Sequence, residues 1–402
     1  MKKLLYFCSV ALLGCLAFTA CGDDDPATPD VKPIDNTEDS DTTIVNDTTA
    51  NDTTTTVSAD SLITIVYSGS TATVTIPESI EGVSCSSGTS SDVVLTSTNT
   101  AQELYYQIQG SSTSGSLTIE GSYKMSLILN GINLTSTSGA AVNVQCGKRI
   151  ALVLSDSTVN SFADAANGEQ RACVYTKGHF EVSGGGTLNV TGNANHAIAA
   201  KEYLQLKRST GTINIVKAAN DAIHVGEFFQ MNGGTVNIDQ NTTSDGIQVE
   251  YKTDNGVVVA DEENTGGVII KGGTINITLN NSEDSKGIKA EGDIAISGGS
   301  FNINAESNGT RGIQTDGNMV IGQEDGTTNI LIYAKGGKCT VAEDSEDPHK
   351  CMGIKVDGDL TVNAGTITVY NTGKKAKGIK VKGSYTKNGG TVNATVDKSS
   401  DE

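Results

Sequence analysis

The stretch Gly287-Ile288-Lys289-Ala290-Glu291-Gly292-Asp293-Ile294-Ala295-Ile296-Ser297-Gly298-Gly299-Ser300-Phe301-Asn302-Ile303 holds three short runs of alternating apolar and polar residues. The runs are 288–291, 294–296 and 301–303, and Gly292-Asp293 and Gly298-Gly299 separate them. Strict alternation over so few residues reads as short strands, and the glycine pairs read as tight turns. Three strands and three turns in about 25 residues make one coil of a parallel β-helix. The Leu framework of a leucine-rich repeat is absent, and so is the Gly-Gly-x-Gly-x-Asp nonapeptide of a calcium roll.

The unit returns from residue 173 to residue 392. Its first half sets a small residue before Ile: Ala197-Ile198, Ala222-Ile223, Gly246-Ile247, Gly287-Ile288, Gly312-Ile313, Gly353-Ile354 and Gly378-Ile379. Its second half reads Gly-Thr-(apolar)-Asn-(apolar), as in Gly234-Thr235-Val236-Asn237-Ile238 and Gly273-Thr274-Ile275-Asn276-Ile277. The Ile marks lie 25, 24, 41, 25, 41 and 25 residues apart, so each long step is one period plus 16. Such a period means stacked supersecondary units with loops inserted at one or two corners.

A side-chain period of two turns the Ile residues inward as one ladder, with Val142 and Cys173 as earlier members. The Asn between two inward apolar residues then faces out. Asn189, Asn214, Asn237, Asn276, Asn302 and Asn393 are expected one above another at about 4.8 Å per coil, where stacked amides can bond along the axis. The expected fold is all-β: a parallel β-helix of about nine or ten coils over 116–396, roughly 45 Å long. Residues 59–115 alternate without the period and are expected to form an N-terminal β cap over the open edge, and 397–402 is a charged tail.

Residues 1–20 carry Lys2-Lys3 and an apolar run ending before small residues, which is a secretory signal. Ala20-Cys21-Gly22 resembles a bacterial lipoprotein processing box with Cys21 as the lipidated residue; Leu12-Leu13-Gly14-Cys15 is a competing match. The acidic run Asp23-Asp24-Asp25 resembles the surface-export tag of Bacteroidetes lipoproteins. Residues 21–58, rich in Asp, Thr and Pro, form a flexible tether. The expected location is a lipid anchor in the outer membrane, facing the cell surface. With Cys21 acylated, five cysteines remain beyond the signal, too odd a number for a full disulfide framework; Cys339 and Cys351 are either a pair or two thiols. The net charge of −19 argues against nucleic acid as a partner. A monomer is expected.

Aligning the coils on Ile exposes three outward columns. Three residues after Ile stand Lys201, Gly226, Glu250, Glu291, Asp316, Asp357 and Lys382. Four successive carboxylates near 4.8 Å apart repel by about 1 kcal/mol per pair in water and more at lower dielectric, so the column needs neutralising. One residue after Ile stand His224, Gln248, Lys289, Gln314, Lys355 and Lys380, and ion pairs from Lys289 and Lys355 are one solution. Calcium is the other, helped by Asp293 and Asp359. Two residues before Ile, Asp221 and Asp245 occupy adjacent coils, and two stacked turns can converge carboxylates and carbonyls on one hard cation. Asp at a turn also serves local hydrogen bonding.

The Asn220-Asp221-Ala222-Ile223 and Ser244-Asp245-Gly246-Ile247 turns resemble a family of carbohydrate-binding β-helices whose best-known type is a clostridial cellulose- and pectin-binding protein. So do the runs Gly287–Ile296 and Gly353–Val362 and the Gly-Thr-(apolar)-Asn-(apolar) strands. The resemblance implies a secreted, right-handed parallel β-helix that binds calcium and plant-type polysaccharide, acidic sugars included. Its fold is akin to pectate lyases, without an established lyase activity. Acidic calcium turns carry over onto Asp221 and Asp245; Lys286, Arg311, Met352 and Lys377 depart from them in later coils.

Three readings follow. A binding module would present Lys289, Gln314, Lys355 and Lys380 to polysaccharide, although the chain has no Trp for a flat cellulose platform. A polysaccharide lyase would need a metal to neutralise a uronate and a basic residue as the base, with Lys289, Lys355, Lys380 and Arg311 as candidates. A protein-docking scaffold would use the acidic insertions 254–263 and 343–347.

Overall fold

The computed structural model describes residues 57–239, 241–323, 327–339 and 349–398. The signal, Cys21, the tether as far as residue 56 and the acidic run 343–347 lie outside the described residues. The chain divides into Met1–Asp47 and Thr48–Glu402, and the second unit is the one described.

Alternation gives strands of three to seven residues, and the glycine turns give three faces per coil. The first face is the 13-stranded sheet that carries the Ile column. Its repeats run from Val142–Gln145 to Lys377–Val381. The second face runs from Ile150–Leu154 to Tyr385–Lys387 and the third from Val159–Ala163 to Thr391–Asn393. These two belong to one 22-stranded sheet, because the long strand Met125–Thr135 pairs with the first strand of both. Every pairing between successive coils is parallel, as between Ile288 and Ile313 or Ile313 and Ile354. The fold is a parallel β-helix, with nine three-strand coils among the described residues.

The segment expected as a cap is woven into the same sheets. Leu104–Ser112 pairs in parallel with Met125–Thr135 and with Leu62–Ser68, and Asp92–Ser97 pairs in parallel with Ser116–Glu120. Only the outermost partners, Thr71–Thr75 and Val83–Cys85, run antiparallel. Long steps in the period become insertions at two corners. Residues 250–266 lie between the first and second faces and hold a small antiparallel pair, Thr253–Asp254 with Val257–Val258. Residues 335–351 lie between the third face and the first. Cys339 and Cys351 there are free, buried thiols.

The Ile column is the core's spine. Ile198, Ile223, Ile247, Ile288, Ile313, Ile354 and Ile379 are all at most 2% exposed. Burying each contributes about 2 kcal/mol. One assignment shifts by a residue: Val174, not Cys173, pairs with Val142 and Ile198. Cys173, also buried, takes the place of the small residue before Ile, as Ala141 does before Val142. The small residue has a steric cause. A Cβ on Gly246, Gly287, Gly312 or Gly353 would lie 2.5–2.7 Å from the carbonyl oxygen of the glycine one coil on.

On the third face Asn189, Asn214, Asn237, Asn276 and Asn302 stand in register. Each of Asn214, Asn237 and Asn276 donates through Nδ2 to the Oδ1 of the Asn before it, at 2.8 Å. Leu331 and Thr368 interrupt the ladder before Asn393, whose Nδ2 donates to Thr368 Oγ1 at 3.2 Å.

Gly312→Ala is expected to cost about 2 kcal/mol by overpacking, since its Cβ would also meet Ile332 at 2.7 Å. Gly147→Ala, where a Cβ meets nothing within 4 Å, should leave stability nearly unchanged. Urea midpoints of the two variants compare them, and equal losses would remove the steric account.

Candidate binding groove

Backbone bonds between coils continue at the corners, as from Gly358 N to Gly317 O at 2.9 Å, and side-chain acceptors add to them there. Asp221 Oδ1 accepts the amide of Asp245, its counterpart one coil on, at 3.0 Å, and Asp245 Oδ1 accepts the amide of Lys286 at 2.7 Å. At another corner Asp293 accepts Asn318 N, Asn318 accepts Asp359 N and Asp359 accepts Ser384 N, at 2.7–2.9 Å. These acidic turns are braces between coils.

This changes the reading of the carboxylates expected to hold calcium. Asp221 gathers two imidazoles, those of His196 and His224. Its Oδ2 lies 3.2 Å from His196 Nδ1 and 3.1 Å from His224 Nδ1, and the two rings stack at 4.3 Å. Burial alone would raise the Asp221 carboxyl, but the two histidines outweigh it and hold it far below the usual carboxylate range. Calcium takes six to eight oxygens. One oxygen of Asp221 is held by a backbone amide and the other faces nitrogen, so these residues do not fit that ion.

The outward carboxylates are likewise engaged. Glu250 accepts from Gln248 Nε2 and lies 3.8 Å from His224 Nε2. Glu291 Oε2 accepts the Tyr251 amide at 2.8 Å. Asp316 accepts from Gln314 at 3.4 Å. Asp357 pairs with Lys355 at 2.7 Å and Lys382 at 2.9 Å. Burial alone would raise the Asp357 carboxyl, yet the two ammonium groups hold it below its ordinary value. The basic column is in register as expected, Gln248 through Lys289, Gln314, Lys355 and Lys380. Its accessibility is not: Gln314 and Lys380 are 7% and 9% exposed, too covered to meet a polymer. Gln314 lies flat between Arg311 Nη1, at 3.1 Å, and Asp316.

The clefts of the first face lie over its earlier half. There the same outward column continues backwards as Thr118, Asn143, Tyr175, Ala199 and His224. Two neighbouring clefts open over it, of about 600 and 240 Å³. Arg171, Tyr175 and Lys201 line both, and Lys177 lines the larger. The Arg171 guanidinium stands 5.9 Å from the Tyr175 ring centroid. His196, His224 and Glu250 line the smaller cleft, and the 250–266 insertion adds Tyr251, Lys252 and Thr253. On the third face Tyr333 and Tyr370 stack at 5.3 Å, with Tyr370 51% exposed. With Cys173 in the Ile column the outward position falls on Val174, so spacing alone does not point to Tyr175. Extending the Ile alignment back one coil through Val174 finds Tyr175.

A polar groove with aromatic and cationic side chains, running across successive coils of a β-helix, is a repeat-built surface for an extended ligand. The profile of a family described as carbohydrate-binding domain-containing protein matches residues 89–401. The chain belongs to this family of carbohydrate-binding domain proteins. A protein of that description from Acetivibrio thermocellus is 26% identical over 88 residues, covering 20% of this chain and 31% of the relative. Among solved structures, the polysaccharide lyase-like protein from C. thermocellum, as its gadolinium derivative, superposes with a TM-score of 0.53. It is 21% identical and covers 67% of this chain and 99% of its own. That likeness concerns the fold.

The braces make a pH prediction. Burial pushes the Asp245 carboxyl up to about 6 from an ordinary 3.8, with neighbouring Asp221 adding to the rise and Lys286 opposing it. A carboxyl raised in the folded state binds its proton more tightly than in the unfolded chain, so stability falls as pH rises from about 4 to about 6. Asp245→Asn keeps the oxygen that accepts the Lys286 amide and removes that slope. The variant should exceed the parent by about 3 kcal/mol at pH 7.5 and by little at pH 4. Denaturant curves at the two pH values test it, and a gap that does not grow with pH would refute the burial argument.

Proposed function

We propose that the protein binds an acidic polysaccharide of plant cell-wall type along the first face, without cleaving it. One observation carries the reading. On a chain of net charge −19, Arg171, Lys177 and Lys201 gather round one outward tyrosine in a cleft that crosses several coils. Guanidinium and ammonium groups bind sugar carboxylates by charge-assisted hydrogen bonds, and a tyrosine face accepts a pyranose ring. Neither a calcium bridge at Asp221 and Asp245 nor the covered Gln314 and Lys380 enters this reading.

Affinity electrophoresis in gels containing pectate, pectin or a neutral cellulose derivative tests it. Pectate should retard the protein most, with chelator as well as without. Arg171→Ala with Lys201→Ala should weaken retardation about tenfold or more, the value of losing one to two charge-assisted hydrogen bonds. Ultraviolet absorbance of an unsaturated uronate product, growing with time, would replace the binding reading with a lyase.

The same reading places the domain on a lipid anchor at Cys21 in the outer membrane, with residues 21–58 as its tether. In the native host Cys21→Ala should move the protein from the membrane to the soluble fraction. An unchanged membrane fraction would exclude that anchor.

A further inference from the structure

At the corner that leads into the second face, the register sets Gly178, Gly266, Gly292, Gly317, Gly358 and Gly383 two residues before the strand. Two adjacent coils break that column with Glu202 and Glu227. The repeat itself needs no carboxylate there, and stacking two is costly. A local rule broken twice in succession points to a site.

The cluster around them is built. Lys252 Nζ donates to Glu202 Oε1 at 2.9 Å and to Glu227 Oε1 at 2.7 Å. Glu227 Oε2 is buried without a hydrogen-bond partner, and the Glu227 side chain is only 2% exposed. His179 Nε2 lies 3.2 Å from Glu202 Oε2 and 3.4 Å from Glu263 Oε2. His179, Glu227 and Glu263 each bring a ligand atom within 4.8 Å of the others. Tyr203 stacks on the His179 ring at 4.4 Å and Phe228 on Tyr203 at 4.7 Å, which fixes the imidazole plane.

We infer that this corner binds one divalent transition-metal ion of the zinc class through His179 Nε2, Glu227 and Glu263, with Glu202 at its edge. Four ligands at about 2.0–2.1 Å from zinc in a tetrahedron lie about 3.3–3.4 Å apart. The 3.4 Å from His179 Nε2 to Glu263 Oε2 already matches that edge. One imidazole with carboxylates suits zinc better than calcium, which takes more oxygens and no nitrogen. The dication would take up the buried Glu227 oxygen that Lys252 leaves over. Because Glu263 belongs to the 250–266 insertion, the ion clamps that segment to the stack and fixes the rim that Tyr251 and Lys252 give the groove. The site stands on its own geometry and is independent of the glycan reading.

The test uses the purified full chain, stripped with chelator, loaded separately with zinc or calcium chloride, desalted and measured for metal content. One equivalent of zinc should remain, with a higher melting temperature than the stripped protein. Glu263→Gln, a change on the insertion that leaves the core intact, should weaken zinc affinity about 100-fold, as should Glu227→Gln. Glu306→Gln, elsewhere on the surface, should match the parent. Failure to retain zinc, retention of calcium in preference to it, or full zinc binding by Glu263→Gln would each overturn the assignment.

Discussion

Each coil of this protein is held to the next by backbone hydrogen bonds, so every side chain is laid on its counterpart at about 4.8 Å. A residue type can recur down a column only if it tolerates a copy of itself at that distance. Isoleucine does, because stacked branched side chains fill a narrow core. Glycine does, and at the corner before Ile it is the residue that clears the carbonyl oxygen of the next coil. Asparagine does, because the amide of one copy donates to the carbonyl of the last. Carboxylates do not, and each acidic column here is resolved by a different device.

Those devices explain much of the polar chemistry. Asp221 and Asp245 each accept an amide from the next coil, and two histidines face Asp221. Asp357 draws ammonium groups from its own coil and the next. Glu202 and Glu227 share Lys252, which arrives from an insertion. A stack of repeats thus turns a local substitution into a problem solved by its neighbours above and below.

The fold was legible because its signal is periodic. The Ile column, the Asn ladder and the glycine before Ile each recur often enough for their register to be read directly from residue spacing. The one-residue error at Cys173 arose where the motif weakens and two adjacent residues are both buried and apolar. Site chemistry was less legible. Spacing shows which residues share a column but not which way a long side chain lies, so Gln314 and Lys380 counted as exposed while they lie flat against neighbours. Spacing also says nothing about contacts from insertions: Lys252 and Glu263 meet His179, Glu202 and Glu227 only through a loop outside the period.

Uniformity and function pull in opposite directions in such a fold. A perfect repeat presents the same surface on every coil, and recognition of one ligand needs places where coils differ. In this chain the differences concentrate between residues 171 and 266. There Ala199 and Gly226 replace larger residues and open space above the sheet, Tyr175 stands out of an otherwise polar column, and the first insertion walls one side. In the later coils Lys355 and Lys382 pair with Asp357, and Gln314 lies between Arg311 and Asp316. The groove therefore sits where the repeat is least regular, and the regular coils beyond it serve to hold that irregular surface rigid.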